Sequence, residues 1–335
     1  MNTNWLTLSK DRRIEILNQA TELTGLPAIA IEKDWWVTLS LNACFSLSDS
    51  KHIIFKGGTS LSKGWGLIER FSEDIDLAID RKFFGFEGDI SKTQIKKLRK
   101  QSCEFISTTF LEDLTKKLTE WKAINECKLI AQPIKNSDKD PQTIEMHYNS
   151  VIDTSEYLPQ RVLIEVSSRS LMEPTENIEI NSILSANFPK QPFASNVISI
   201  STVLPQRTFL EKTFLLHEEF SQASEKIRVD RLSRHLYDLE KLMDTVHGIE
   251  AVKNTDLYNS IVSHREKFNA LRGLDYSNHI PSKISIVPPK SVIKDYKKDY
   301  EAMTNYMIYG DYLTFEKLIN RISELQERVN KIATA

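Results

Sequence analysis

One stretch limits the possible folds more than any other. A β-branched run, Ile53-Ile-Phe55, passes straight into Lys56-Gly-Gly-Thr-Ser60, and Arg70-Phe-Ser-Glu-Asp-Ile-Asp-Leu77 follows after a short spacer. Both ends read as strands, the second over Ile75 to Asp80. In a strand alternate residues share a face, so Asp74 and Asp76 point one way while Ile75, Leu77 and Ile79 point into a core. The chain therefore needs a sheet with one packed face and one face that tolerates two neighbouring carboxylates. Such carboxylates raise each other's pKa unless a cation sits between them. Hard oxygen ligands at this spacing suit Mg²⁺ or Mn²⁺ and not zinc or copper. Two solvated aspartates at a strand start would give the same pattern.

The preceding turn adds a second constraint. Gly57 and Gly58, leading through Thr59 and Ser60 into a helical pattern, offer backbone N–H groups and small side chains, the chemistry of a phosphate cradle. Gly57, Gly58, Thr59, Ser60 and Lys63 are thus candidate nucleotide-binding residues. This is not a Walker A loop, because Lys63 precedes Gly64 and the Gly-Lys-Ser/Thr order is missing. A plain turn with a helix cap also fits the turn alone; its pairing with Asp-x-Asp on the next strand makes it specific.

Around this segment the chain alternates helices and strands, then turns wholly helical. Ser9 caps an expected helix over 10–24, stopped by Gly25 and Pro27. Helical patterns follow over 29–47 and 92–121. Strand-like runs cluster near 125–133, 142–152, 160–169, 177–184 and 196–203. After Pro205 only helices are expected, over 206–221, 229–246, 252–272, 291–309 and 313–333. With 10 Gly and 11 Pro in 335 residues, long helices are favoured over a loop-rich all-β chain. The expected organisation is an α/β or α+β domain over 1–205 and a helical domain over 206–335.

Charge and cysteine usage narrow the function classes. Lys and Arg number 44 against 46 Asp and Glu, so no global cationic field draws the chain to nucleic acid or anionic lipid. A polyanion must meet a local patch. The densest is Lys226, Arg228, Arg231 and Arg234, the candidate for contacting the phosphates of such a partner. Arg231, Arg234, His235 and Asp238 are spaced to share one helix face. Lys92 to Lys100 reads as a solvated helix face. Three scattered cysteines and seven histidines show no zinc or disulfide spacing. With no leader-like start and no apolar run of membrane length, a cytoplasmic protein without membrane contact is expected.

A glycine turn followed by Asp-x-Asp on a strand resembles the signature of the polymerase-β-like nucleotidyltransferase fold. The wording Lys-Gly-Gly-Thr-Ser-Leu and Arg-Phe-Ser-Glu-Asp-Ile-Asp-Leu is similar to the AbiEii/AbiGii toxin branch. Glu32-Lys-Asp-Trp-Trp36, Thr208-Phe-Leu-Glu-Lys-Thr-Phe214 and Arg234-His-Leu-Tyr-Asp-Leu239 fit that branch too. The resemblance spans about 32–240. It implies a polymerase-β-like core with a mixed sheet and an all-helical C-terminal domain.

It also implies a third acidic ligand on a later strand. Glu165, in Arg161-Val-Leu-Ile-Glu-Val-Ser167, is the expected one and Glu145 its competitor. Among the catalytic residues the resemblance places Lys212, against the nucleotide phosphates, and Asp238, orienting either Lys212 or an arginine. The implied activity is transfer of a nucleoside monophosphate from an NTP to an RNA hydroxyl. Mg²⁺ or Mn²⁺ would be bound by Asp74, Asp76 and Glu165. The tRNA 3′ acceptor end is the expected target, with inhibited translation as the result and a cognate AbiEi-like antitoxin as partner. A silent nucleotide- or antitoxin-binding module, a protein hydroxyl as acceptor, and a glycosyltransferase stay open at this point. Trp35 and Trp36 read as core.

Overall fold

The computed structural model describes residues 2–72, 74–134, 136, 139–153 and 159–332. The chain forms two compact units, one of residues 1–64 with 71–203 and another of 65–70 with 204–335. The sequence boundary at 205/206 carries no signal for the six-residue excursion 65–70.

Unit 1 contains α1 (Lys10–Thr24), α2 (Ala28–Phe45), β1 (Ile53–Lys56) and a single helical turn α3 (Gly57–Thr59), continued by a π turn over Ser60–Gly64. Then come β2 (Asp74–Ile79), α4 (Lys92–Phe105), a π turn over Ile106–Phe110 and α5 (Leu111–Glu120). The remainder is β3 (Cys127–Ala131), β4 (Gln142–Tyr148), β5 (Arg161–Ser167), β6 (Thr175–Ile180), α6 (Ile183–Asn187) and β7 (Ile198–Val203). The first helix starts and stops where its caps predict: the Ser9 side chain accepts the Arg12 N–H, and Gly25 takes φ +72°.

The seven strands form one mixed sheet in the order β3-β4-β5-β2-β1-β7-β6. β2 runs parallel to β5 and β1 parallel to β7, while the other pairs are antiparallel. One face is the core: Ile53, Phe55, Ile75, Leu77, Ile79, Ile144, Met146, Val162, Ile164 and Val166 pack with Trp35, Trp36, Leu39 and Ile106. α2 is buried nearly all round, its charged Glu32, Lys33 and Asp34 included. Trp36 stacks on Tyr148 with centroids 5.0 Å apart, which places the tryptophan pair in the core as expected. The opposite face carries a small apolar patch of Ile54, Ala78 and Val203 beside Met172.

Unit 2 is helical: α7 (Pro205–Phe220), α8 (Ser233–Leu242), α9 (Val246–Lys253), α10 (Thr255–His264), α11 (Ile293–Tyr306) and α12 (Phe315–Asn330). The helix expected over 229–246 is shorter, and a residue distant in sequence sets its start. Arg231 takes φ +59°, outside any helix. Asp299 of α11 accepts the N–H groups of Arg231 (2.7 Å) and Ser233 (2.9 Å), which sets the start of α8. Thr245 then caps a new helix by accepting the Gly248 N–H (3.2 Å). Arg231 therefore does not share the helical face of Arg234, His235 and Asp238. The expected end of the last helix at 333 lies outside the described residues. Among those residues no helix is long and apolar enough to cross a membrane.

Candidate active site

The site in unit 1 is laid out by strand register. Asp76 is paired with Lys56 of β1 on one side and with Glu165 of β5 on the other. Glu165 in turn faces Thr143 of β4, and Asp74 faces Leu163. Residues paired across a sheet project from the same face. Lys56, Asp76 and Glu165 therefore form a row across three strands, with Asp74 one pleat along, on the face opposite the core. All four are half-buried, whereas their neighbours Ile75, Leu77, Ile164 and Val166 are buried. Glu165 reaches the acidic face because β2 and β5 are parallel and in this register.

Glu145 lies on the same face, opposite Leu163, but it is otherwise engaged. A hydrogen bond from the Gln132 amide (2.9 Å), helped by Arg161 (3.0 Å) and His147 (2.8 Å), holds its carboxyl below the usual range. By register Glu165 stands directly beside Asp76, whereas Glu145 lies one strand further out.

The glycine turn abuts this row. Gly57 adopts φ +79°, and a Cβ placed there would lie 2.7 Å from Cγ of Asp76. Only glycine meets both conditions. The Thr59 hydroxyl donates to the backbone carbonyl of Asp74 and lies 2.8 Å from the Ser72 hydroxyl; that of Ser60 donates to the Gly57 carbonyl (2.8 Å). These hydroxyls fix the turn to the start of β2. Lys56, the residue ahead of the turn, makes no side-chain cap to its leading N–H groups, and such groups are suited to an anion.

Lys63 is placed differently from the expectation. Its ammonium pairs with Asp34 of α2, both largely buried, so it braces the end of the turn and is committed to a carboxylate. Asp34 also accepts the Ile183 N–H at the start of α6 (2.8 Å). Its neighbours brace the strand that carries Glu165. Lys33 donates to the Pro159 carbonyl (3.0 Å) ahead of β5, and Glu32 accepts from the Ser150 hydroxyl and the Val151 N–H (2.9 Å) beyond β4. Burial raises the Glu32 pKa against these hydrogen bonds.

Unit 2 holds a separate buried cluster. Lys212 of α7 lies 2.9 Å from Oδ2 of Asp238 and 3.3 Å from Nδ1 of His235, both on α8. Asp238 also receives Arg70, Nε to Oδ1 at 2.6 Å and Nη2 to Oδ2 at 2.8 Å. The question of which cation Asp238 orients has the answer that it binds both. Burial pushes the Lys212 pKa down, opposed by Asp238. Burial pushes Asp238 up, but Arg70 and then Lys212 outweigh it and hold the carboxyl well below its ordinary value. His235 is driven well down by burial and by Lys212, so its ring is neutral. Arg70 is the residue that sequence reasoning missed. Its signal was a charge four residues ahead of Asp74, inside a motif already singled out.

The basic patch is uneven. Lys226 is exposed, Arg234 is half-buried, and Arg228 is exposed but forked onto the buried carboxylate of Glu219 (2.6 and 3.0 Å).

Among the described residues no three His, Cys, Asp or Glu side chains converge closely enough to hold a metal ion by themselves. The donor set nonetheless fits Mg²⁺, which binds through one or two carboxylates with substrate phosphates and water completing its shell. The acidic members of the row offer carboxylate oxygens, with the Lys56 ammonium beside them, and the neighbouring turn is suited to phosphate.

Comparisons with known proteins identify the family. A family profile described as "Nucleotidyl transferase AbiEii toxin, Type IV TA system" matches residues 41–321. No curated protein matches the chain. Among solved structures, the nucleotidyltransferase toxin MenT4 from Mycobacterium tuberculosis is similar in fold, with a TM-score of 0.55 at 15% identity, over 96% of this chain and 90% of MenT4. JHP933 from Helicobacter pylori aligns over 90% of this chain and 92% of its own, with TM-score 0.40 and 14% identity.

Proposed function

Given that the chain belongs to the AbiEii nucleotidyltransferase toxin family of type IV toxin–antitoxin systems, we propose that it transfers a nucleoside monophosphate from an NTP to an RNA hydroxyl. The acceptor is the 3′ end of tRNA, and blocking that end arrests translation in the cytoplasm. The family implies an antitoxin partner, and we assign that role to a cognate AbiEi-like protein. The observation that carries the reading is the close approach of Gly57 to Asp76, with Glu165 in register on the next strand.

In the proposed reaction an RNA hydroxyl oxygen bonds to the α-phosphorus, its proton is released, and the bond to the bridging oxygen breaks to expel pyrophosphate. Asp74, Asp76 and Glu165 would hold Mg²⁺ or Mn²⁺, whose chemistry in such a site is to neutralise triphosphate charge and acidify the attacking hydroxyl. The N–H groups from Gly57 to Ser60 orient the triphosphate, and the Thr59 and Ser60 hydroxyls keep that turn in shape. Lys212 is proposed to offset charge that grows in the transition state, with Asp238 holding it. Lys226, Arg228, Arg231 and Arg234 are proposed to meet acceptor phosphates.

The test is to incubate the protein with each labelled NTP in turn, Mg²⁺ and total RNA, then sequence the labelled products. Label at tRNA 3′ ends with one or more NTPs, lost in Asp74→Ala, Asp76→Ala and Lys212→Ala, is the expected result. Label on protein would move the acceptor class, and no label despite NTP binding would leave a silent nucleotide-binding module.

A further inference from the structure

The cluster around Asp238 holds one negative charge against two cations that Asp238 itself binds. Arg70 is only 2% exposed and Asp238 fully buried, so both are removed from bulk water. Replacing a buried ion group by apolar residues often leaves stability unchanged or improved, so such a group is weak grounds for a purely structural role. The sharing is unequal. Arg70 occupies both carboxylate oxygens with its fork, while Lys212 reaches only Oδ2, the oxygen that Nη2 of Arg70 also contacts. A planar fork can do this and a lysine cannot.

The backbone fixes Arg70 in that position. Arg70 forms a β-bridge with Ile308, and the N–H groups of Tyr309 (3.0 Å) and Gly310 (3.3 Å) donate to the Glu69 carbonyl. Any Cβ on Gly310 would collide with the Glu69 side chain, so glycine is needed for the strap to lie this close.

We propose that Arg70 is a positioning residue for Lys212: by taking both oxygens of Asp238 it keeps that carboxylate from neutralising the lysine, leaving the ammonium charge for a triphosphate. His235 completes the arrangement. Its neutral Nδ1 accepts from Lys212, which orients the ammonium without opposing its charge. The inference rests on the reading that Lys212 meets the NTP phosphates.

The test uses the full chain and inorganic tripolyphosphate with Mg²⁺, the portion common to every NTP. Affinity is measured by calorimetry at a temperature where circular dichroism shows each variant folded. Arg70→Met is expected to weaken binding about tenfold and to raise KM for NTP in step with little change in kcat. Arg70→Lys, which frees one oxygen of Asp238, should fall between and serves alone if the methionine variant does not fold. In Arg70→Met/Asp238→Asn the carboxylate that would neutralise Lys212 is gone, so binding should recover toward that of the unaltered protein. Folded Arg70 variants that bind tripolyphosphate normally overturn the proposal, as does a double variant no better than Arg70→Met. Lys212→Ala separates the two readings. Lost binding there beside normal binding in Arg70→Met sinks only the present inference, whereas normal binding in Lys212→Ala sinks the lysine's assigned role and this inference with it.

Discussion

The two units use acidic residues in opposite ways. In unit 1 Asp74, Asp76 and Glu165 stand half-buried in a row on a sheet face, where strand pairing places them and solvent limits the cost of their charge. In unit 2 Asp238 is buried completely and survives as a carboxylate because Arg70 and Lys212 surround it. The first arrangement sets carboxylates side by side on a partly solvated sheet face; the second uses a carboxylate to hold cations. Function and stability should therefore separate in unit 1 and travel together in unit 2.

The largest effect that could break this contrast comes from paired alanine variants. Asp76→Ala should cut label transfer by about 10³-fold or more, since the proposed mechanism places this carboxylate on the reacting phosphates, while thermal unfolding shifts little. Asp238→Ala should also abolish transfer but cost about 3–5 kcal/mol of stability, because it strands two buried cations. Equal unfolding midpoints for the two would erase the distinction.

Acid should then find unit 2 first. Burial, with a smaller push from His279, lowers the His217 pKa to about 4 from an ordinary 6.5. The unfolded chain thus binds this proton first. Stability is lost as pH falls through the window from 6.5 to about 4, at up to ~1.4 kcal/mol per unit and roughly 3 kcal/mol in all. His235, lowered further, adds to the loss. Hydrogen exchange at pH 4.5 should show α7 and α8 opening before the sheet, and His217→Gln should flatten the pH dependence. Protection that falls evenly across both units would count against the assignment.

Much of unit 1 was legible because its rules are local. Alternation in Asp74–Ile79 fixed which side was acidic, Ser9 and Gly25 fixed the first helix, and Trp35 and Trp36 were apolar enough to be core. Glu165 depended on family resemblance, since a lone acid in an apolar run says nothing about its neighbour strand; the parallel register with β2 settles the face. The pairing of Lys63 with Asp34 was not legible because Asp34 lies on a distant helix. Unit 2 was less legible for the same reason. Arg231 leaves the helical face because Asp299, sixty-eight residues on, caps its backbone. Arg70 joins Asp238 across 168 residues of sequence.

A comparison within unit 1 gives an intermediate effect. Gly57 and Gly25 both have positive φ, at +79° and +72°, but nothing lies within 4 Å of a Cβ built on Gly25. Gly25→Ala should cost only the strain of a left-handed residue, about 1 kcal/mol. Gly57→Ala adds the collision with Asp76, so about 2–3 kcal/mol is expected, together with a loss of transfer that Gly25→Ala does not share. Matching activity in the two variants would detach the turn from the acidic row.

The smallest effect concerns the basic patch, where exposure and availability differ. Lys226 sits exposed at the end of a 3₁₀ turn (Ser224–Lys226), and its long side chain can follow a phosphate at little cost. Arg228 is also exposed, yet Glu219 accepts from its backbone N–H (2.6 Å) and from two of its guanidinium nitrogens. That carboxylate is buried, so the arginine answers a folding requirement and its charge is already matched. Lys226→Ala should therefore lower the salt slope of RNA binding by about 0.7 and leave unfolding within about 0.5 kcal/mol. Arg228→Ala should change the slope less and destabilise the fold more, since Glu219 is left buried without its cation. If the two variants flatten the salt dependence equally, the patch acts as a continuous field, and the partner of each arginine matters less than its exposure.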